Sequence, residues 1–116
     1  MKIIIAGSRI FDNFDLLCKK MDFYNSYGSI SEVVSGNARG CDKLGERWAN
    51  LNKIPLKIFK PNWDELGKSA GFIRNKEMGL YADGLVAFWN GSSSGTKHMI
   101  DFMKNLKKIV RVVDFC

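Results

Sequence analysis

Lys2-Ile3-Ile4-Ile5-Ala6-Gly7-Ser8-Arg9 is the stretch on which the fold turns. Its apolar residues run on without alternation and then break at a small polar turn. A strand of that kind is buried on both faces, as in parallel sheets covered by helices. Outward from it, Phe14, Leu17, Met21 and Tyr24 recur at helical spacing between Phe14 and Tyr27. Gly28 is placed to stop that helix. The same spacing returns at Cys41, Leu44, Trp48 and Leu51, and Pro55 separates that helix from the strand Leu56–Phe59. Glu32–Ser35, Gly84–Trp89 and Ile109–Val113 read as further strands. Ala70–Tyr81 reads as a third helix, and the segment presenting Met99, Met103 and Leu106 as a fourth. Lys60–Lys68, with Pro61, Trp63 and Gly67, reads as a long loop.

The βαβαβαβαβ alternation predicts one α/β, Rossmann-like, three-layer domain over residues 1–116 with a five-stranded parallel sheet. Right-handed crossovers leave the strand orders 3-2-1-4-5 and 2-1-3-4-5 open. The 116 residues suffice for one core and not two. An apolar fraction of 46% against 26% charged excludes wholesale disorder. Apolar runs stay far below the ~18 residues of a membrane span. The start Met1–Ala6 is too short for a secretory segment, so a cytoplasmic location is expected. Cys18, Cys41 and Cys116 are odd in number and widely spaced, which points to reduced thiols rather than disulfides or zinc. The net charge of +6 favours anionic partners.

In open parallel sheets, ligands bind beyond the carboxyl ends of the strands where strand order reverses. In the order 3-2-1-4-5 three turns flank that point: Gly7-Ser8-Arg9, Ser35 to Gly40, and Asn90 to Thr96. All are small, polar and glycine-bearing, so backbone N–H groups and helix N-termini can approach a phosphate. Gly36-Asn37-Ala38-Arg39-Gly40 is not a G-x-G-x-x-G fingerprint. Gly91-Ser92-Ser93-Ser94-Gly95-Thr96-Lys97 is not a Walker A loop, because its spacing is one short and Lys and Thr are reversed.

Gly7-Ser8-Arg9 with Phe11-Asp12, and Val34-Ser35-Gly36-x-Ala38-Arg39-Gly40-x-Asp42 with Leu44-Gly45-Glu46-x-Trp48-Ala49, carry a resemblance. Pro61-x-Trp63, Arg74-Asn75-x-x-Met78, Ala87-Phe88-Trp89 and Gly95-Thr96-x-x-Met99-Ile100 extend it in order along the chain. Together they resemble the YspA-type, DUF2493-like branch of the SLOG superfamily, distantly related to the LOG phosphoribohydrolases and DprA-type proteins. The resemblance implies the order 3-2-1-4-5 and a nucleotide or ADP-ribose-like ligand, with no cofactor required. Superfamily relatives often dimerise, so a homodimer or higher oligomer is an expectation as well.

The ligand-binding candidates are Gly7, Ser8, Arg9, Ser35, Gly36, Ala38, Arg39, Gly40, Asp42, Arg74, Asn75, Gly91, Ser94, Gly95 and Thr96. Arg9 and Arg39 are read as phosphate clamps, with Arg39 and Ser94–Thr96 meeting on one anion. Asp42 is read as a helix cap or an acceptor for a ribose hydroxyl, and Glu46 as an ion-pair partner of Arg39 or Arg9. Trp63 and Trp89 offer rings for a base, although Trp89 at a strand end suits the core. His98 reads as a surface residue without a partner and founds no metal site. Lys104, Lys107, Lys108 and Arg111 read as a solvated basic face.

The LOG resemblance adds a test of catalysis. Those hydrolases use a Glu in their glycine-rich turn motif, and Met99 stands in its place here. A thioether neither ionises nor accepts a proton, so the catalytic residues stay unassigned. Binding or sensing of a small-molecule nucleotide derivative is the leading reading. N-glycosidic hydrolysis comes second and nucleic-acid binding third.

Overall fold

The computed structural model describes residues 1–115, with Lys68 through its backbone alone; Cys116 lies outside the described residues. Its elements are β1 (Lys2–Gly7), α1 (Phe14–Gly28), β2 (Glu32–Ser35), α2 (Cys41–Leu51), β3 (Leu56–Ile58), α3 (Trp63–Leu66), α4 (Ala70–Tyr81), β4 (Gly84–Trp89), α5 (Ser94–Asn105) and β5 (Ile109–Asp114). A 3-10 turn, Gly67–Ser69, joins α3 to α4.

The sheet is parallel throughout, in the order β3-β2-β1-β4-β5. β1 is central: Ile4 pairs with Val34 on one side and Leu85 on the other, and Gly7 lies beside Phe88. Its residues alternate between two cores, as a strand's geometry requires. Ile3 and Ile5 face Val33, Val86 and Phe88 under Leu17 and Met21 of α1 and Trp48 of α2. Ile4 and Ala6 face Val34, Leu85 and Ala87 under Met78 of α4 and Met99 and Met103 of α5. Helices on both faces explain why Ile4 and Ile5 are adjacent in sequence and both fully buried.

Three expectations are corrected. α1 runs through Gly28, and Ser29 takes the left-handed position at φ 47°. Asn25 makes this tenable: its carbonyl accepts from Ser29 N–H at 3.0 Å and its side chain from Ile30 N–H at 2.8 Å. The expected loop Lys60–Lys68 contains α3, whose start is a reciprocal cap. Asn62 Oδ1 accepts from Glu65 N–H at 3.3 Å, and Asn62 Nδ2 donates to Glu65 Oε2 at 3.1 Å. Lys108 is not part of a solvated face. Its ammonium donates to Gly79 and Ala82 carbonyls at 2.7 Å each, closing the end of α4 with positive charge. Among the described residues, no helix is long and apolar enough to cross a membrane.

Candidate functional site

The reversal of strand order lies between β1 and β4, and the chain opens there into a cleft of about 510 Å³. Ser8, Arg9 and Ile10 after β1 form one wall, and Asn90 with Ser92–Gly95 after β4 another. Trp63 of α3 and Phe72, Arg74 and Asn75 of α4 close it from the side. A side lobe of about 270 Å³ is lined by Gly36, Asn37, Ala38, Lys60, Pro61 and Trp63 with the two arginines. An inner recess of about 80 Å³ lies among Gly7, Ala38, Asp42, Thr96 and Met99, again with both arginines. Arg9 and Arg74 are the two residues common to all three spaces.

Arg74 is held from two directions. Its Nη1 donates to the Gly36 carbonyl at 2.6 Å and its Nε to Asn75 Oδ1 at 3.1 Å. The guanidinium passes so near Gly36 that a Cβ there would lie 2.5 Å from Nη1, so glycine is what admits it. Asn75, itself buried, spends its amide nitrogen on Gly95 O at 3.1 Å and faces His98 Nδ1 at 3.2 Å. With Nδ1 accepting, His98 is neutral and carries its proton on Nε2. Burial lowers its pKa, in keeping with that state. His98 therefore has the partner it was expected to lack, and its ring packs edge-on against Phe72. Three segments thus meet: the turn at Gly36, α4 through Arg74 and Asn75, and the first turn of α5.

Ser93 caps α5, accepting from Thr96 N–H at 3.3 Å, while Thr96 Oγ1 donates to Ser93 Oγ at 3.1 Å. Ser94 and Gly95 are left exposed on the cleft side, beside the positive end of the helix. Ser8 Oγ reaches Asn90 Oδ1 at 3.4 Å and joins the turns after β1 and β4. The half-buried Trp89 donates from its indole N–H to Ser93 O at 3.0 Å, so it holds the turn; Trp63, 51% exposed, lies at the cleft wall.

Asp42 is 5% exposed and does not cap its own helix, whose N-cap is Gly40 at φ 77°. Its Oδ2 accepts from Ala38 N–H at 3.2 Å and so fixes the preceding turn. Burial pushes its pKa up to about 6, against the pull of Ala38 N–H, Arg74 and Arg9, and Glu46 adds to the rise. Glu46 pairs with neither Arg39 nor Arg9. It accepts from Ser35 Oγ at 2.7 Å and lies 3.7 Å from Lys43 Nζ.

Of the residues singled out from the sequence, Gly7, Ser8, Arg9, Gly36, Ala38, Asp42, Arg74, Asn75, Ser94, Gly95 and Thr96 line these spaces. Ser35 is buried behind them, Gly40 and Gly91 shape their turns at positive φ, and Arg39 is exposed outside all three. Phe72 and His98 escaped the sequence reading; Asn90 and Ser93 lie in a turn it placed at the cleft without naming them as ligand residues. Ser93 carried a legible signal, a serine three residues before Thr96 at a helix start.

The Gene 61 protein of Mycobacterium phage D29 is 35% identical over 108 residues, spanning 84% of this chain and 83% of that protein. No solved structure matches the chain. Residues 1–65, which include β1, the turns Gly7–Arg9 and Ser35–Gly40 and Asp42, match the family described as YspA, cpYpsA-related SLOG. With more than half its length matched and that relative alongside, the chain belongs to the YspA, cpYpsA-related SLOG family.

Proposed function

We propose that the protein binds a nucleotide or nucleotide-derived ligand in the cleft between β1 and β4. The observation that carries the reading is the pair Arg9 and Arg74, which borders all three spaces at the point where strand order reverses. Two guanidiniums beside a helix N-terminus suit a phosphate, for which charge-assisted and bidentate bonds are strongest. The exposed rings of Trp63 and Phe72 at the mouth suit the flat face of a base. Membership of the SLOG family supports a nucleotide-related role.

The test is mass spectrometry of small molecules that co-purify with the protein, followed by calorimetric titration with AMP, ADP-ribose and NAD. Binding that weakens in Arg9→Ala supports the reading. No co-purifying nucleotide and no heat or thermal shift with any of the three overturns it.

A second reading, N-glycosidic hydrolysis, is favoured by Asp42. It is a carboxyl whose pKa burial pushes up to about 6, in the recess that also holds Met99. Release of free adenine from AMP, lost in Asp42→Asn, would move this reading ahead.

A further inference from the structure

We propose that the cleft takes up a proton together with its phosphate, and that Asp42 carries it as a neutral acid donating to the anion. The proposal rests on the anion-binding reading above and adds how the anion is selected. Asp42 lies in the recess with one carboxylate oxygen, Oδ2, taken by Ala38 N–H at 3.2 Å. Among the described residues, Oδ1 has no hydrogen-bond partner, so it is the atom with a bond to give.

The charged groups around it come from each neighbouring element. Arg9 approaches from the turn after β1 and Arg74 from α4, while Cys41 and Glu46 sit on its own helix. Glu46 is occupied by Ser35 and Lys43. From α5 the recess receives only the neutral Ser93, Gly95, Thr96 and Met99.

In the free protein the Ala38 N–H bond offsets part of the cost of an Asp42 carboxylate, and the two guanidiniums add to it. A doubly charged phosphate set between the same arginines takes over that charge and faces the carboxylate with its own. Like charges at a shared site drive one of them to the neutral form. The neutral acid then gains a donor, the O–H, that the carboxylate lacked. Burial already brings the pKa to about 6, so little further change is needed. A rise of about one unit on binding leaves the group about half protonated at pH 7. The site so built prefers oxygen-rich dianions that accept hydrogen bonds, phosphate and sulfate, over halide.

Sulfate is the first probe, because its own charge is constant across the range. The Asp42 carboxyl is followed by carbon NMR from about pH 4.5 to 8.5, in sodium sulfate and in sodium chloride of matched ionic strength. The expected result is a titration midpoint about one unit higher in sulfate. Calorimetry with AMP at pH 7, in two buffers of different ionisation heat, is the second arm. Wild type is expected to take up about 0.4 proton per site more than Asp42→Asn. Binding of AMP with equal proton uptake in both proteins, or sulfate binding that leaves the midpoint unmoved, overturns the proposal while the anion site stands. If neither sulfate nor AMP binds, both readings fall together.

Discussion

Asp42→Asn should stabilise the protein at neutral pH, and the gain should vanish in acid. The carboxyl titrates at about 6 in the fold against 3.8 in an unfolded chain, chiefly through burial. Between those values the folded state holds a proton that the unfolded state has released. Stability therefore falls as pH rises from about 4 to 6, and the loss is complete above the folded pKa. At 1.36 kcal/mol per unit, the full cost is about 3 kcal/mol. That figure already contains the attraction of Arg74 and Arg9, because both act on the same titration. Asparagine keeps an acceptor for Ala38 N–H and removes the ionisation. Urea unfolding followed by tryptophan fluorescence, with Trp48 as a buried reporter, measures the difference. The variant should exceed wild type by about 1–3 kcal/mol at pH 8 and match it near pH 4. A gap that does not change with pH, or a variant less stable than wild type at pH 8, would refute the reasoning.

Five other substitutions separate the site from its surroundings. Arg9→Ala and Arg74→Ala should each weaken AMP binding by about 1.5–3 kcal/mol, the range for a charged hydrogen bond. Arg39→Ala should change calorimetric affinity by less than about 1 kcal/mol, since Arg39 is exposed outside the cleft. Gly36→Ala should displace the Arg74 guanidinium, whose Nη1 would lie 2.5 Å from the new methyl carbon. Lost binding with a nearly unchanged melting temperature is the expected pair of readings. Met99→Ala should cost about 2–5 kcal/mol in urea unfolding, because Met99 is 1% exposed in the α4–α5 core; an unchanged midpoint would show the site collapses around it.

The sheet was legible because each strand carries its own message. Continuous apolar runs such as Ile3–Ala6 mean burial on both faces, and the residues between them repeat at helical spacing. The family resemblance then chose between the two strand orders, which periodicity alone left open. The arginines show where such reasoning stops. Its place inside a glycine turn marks Arg39 as a phosphate clamp, but side-chain direction in a turn depends on backbone dihedrals. Here Asn37 at φ 62° and Gly40 at φ 77° shape the turn, and Arg39 ends exposed. Arg74 fills the place instead, from a helix that begins more than thirty residues later. His98 and Asn75 escaped notice for a similar reason, as they are 23 residues apart and meet only when α4 packs on α5. The short α3 has no periodic face to read, although Asn62 and Glu65 stand at capping-box spacing.

The central place of β1 has a consequence for how the molecule comes into being. The strand made first pairs with one made about eighty residues later, Ile5 with Val86, and the Arg74 clasp on Gly36 spans 38 positions. Connections of that length close slowly, since loop entropy is lost before any contact rewards it. The early half of the chain holds Arg9 and Asp42 but has neither Arg74 nor the first turn of α5. Nothing that needs both arginines can bind until the late half has docked. A ligand that needs both arginines would therefore select finished molecules, drawing the population toward the native state by mass action during synthesis.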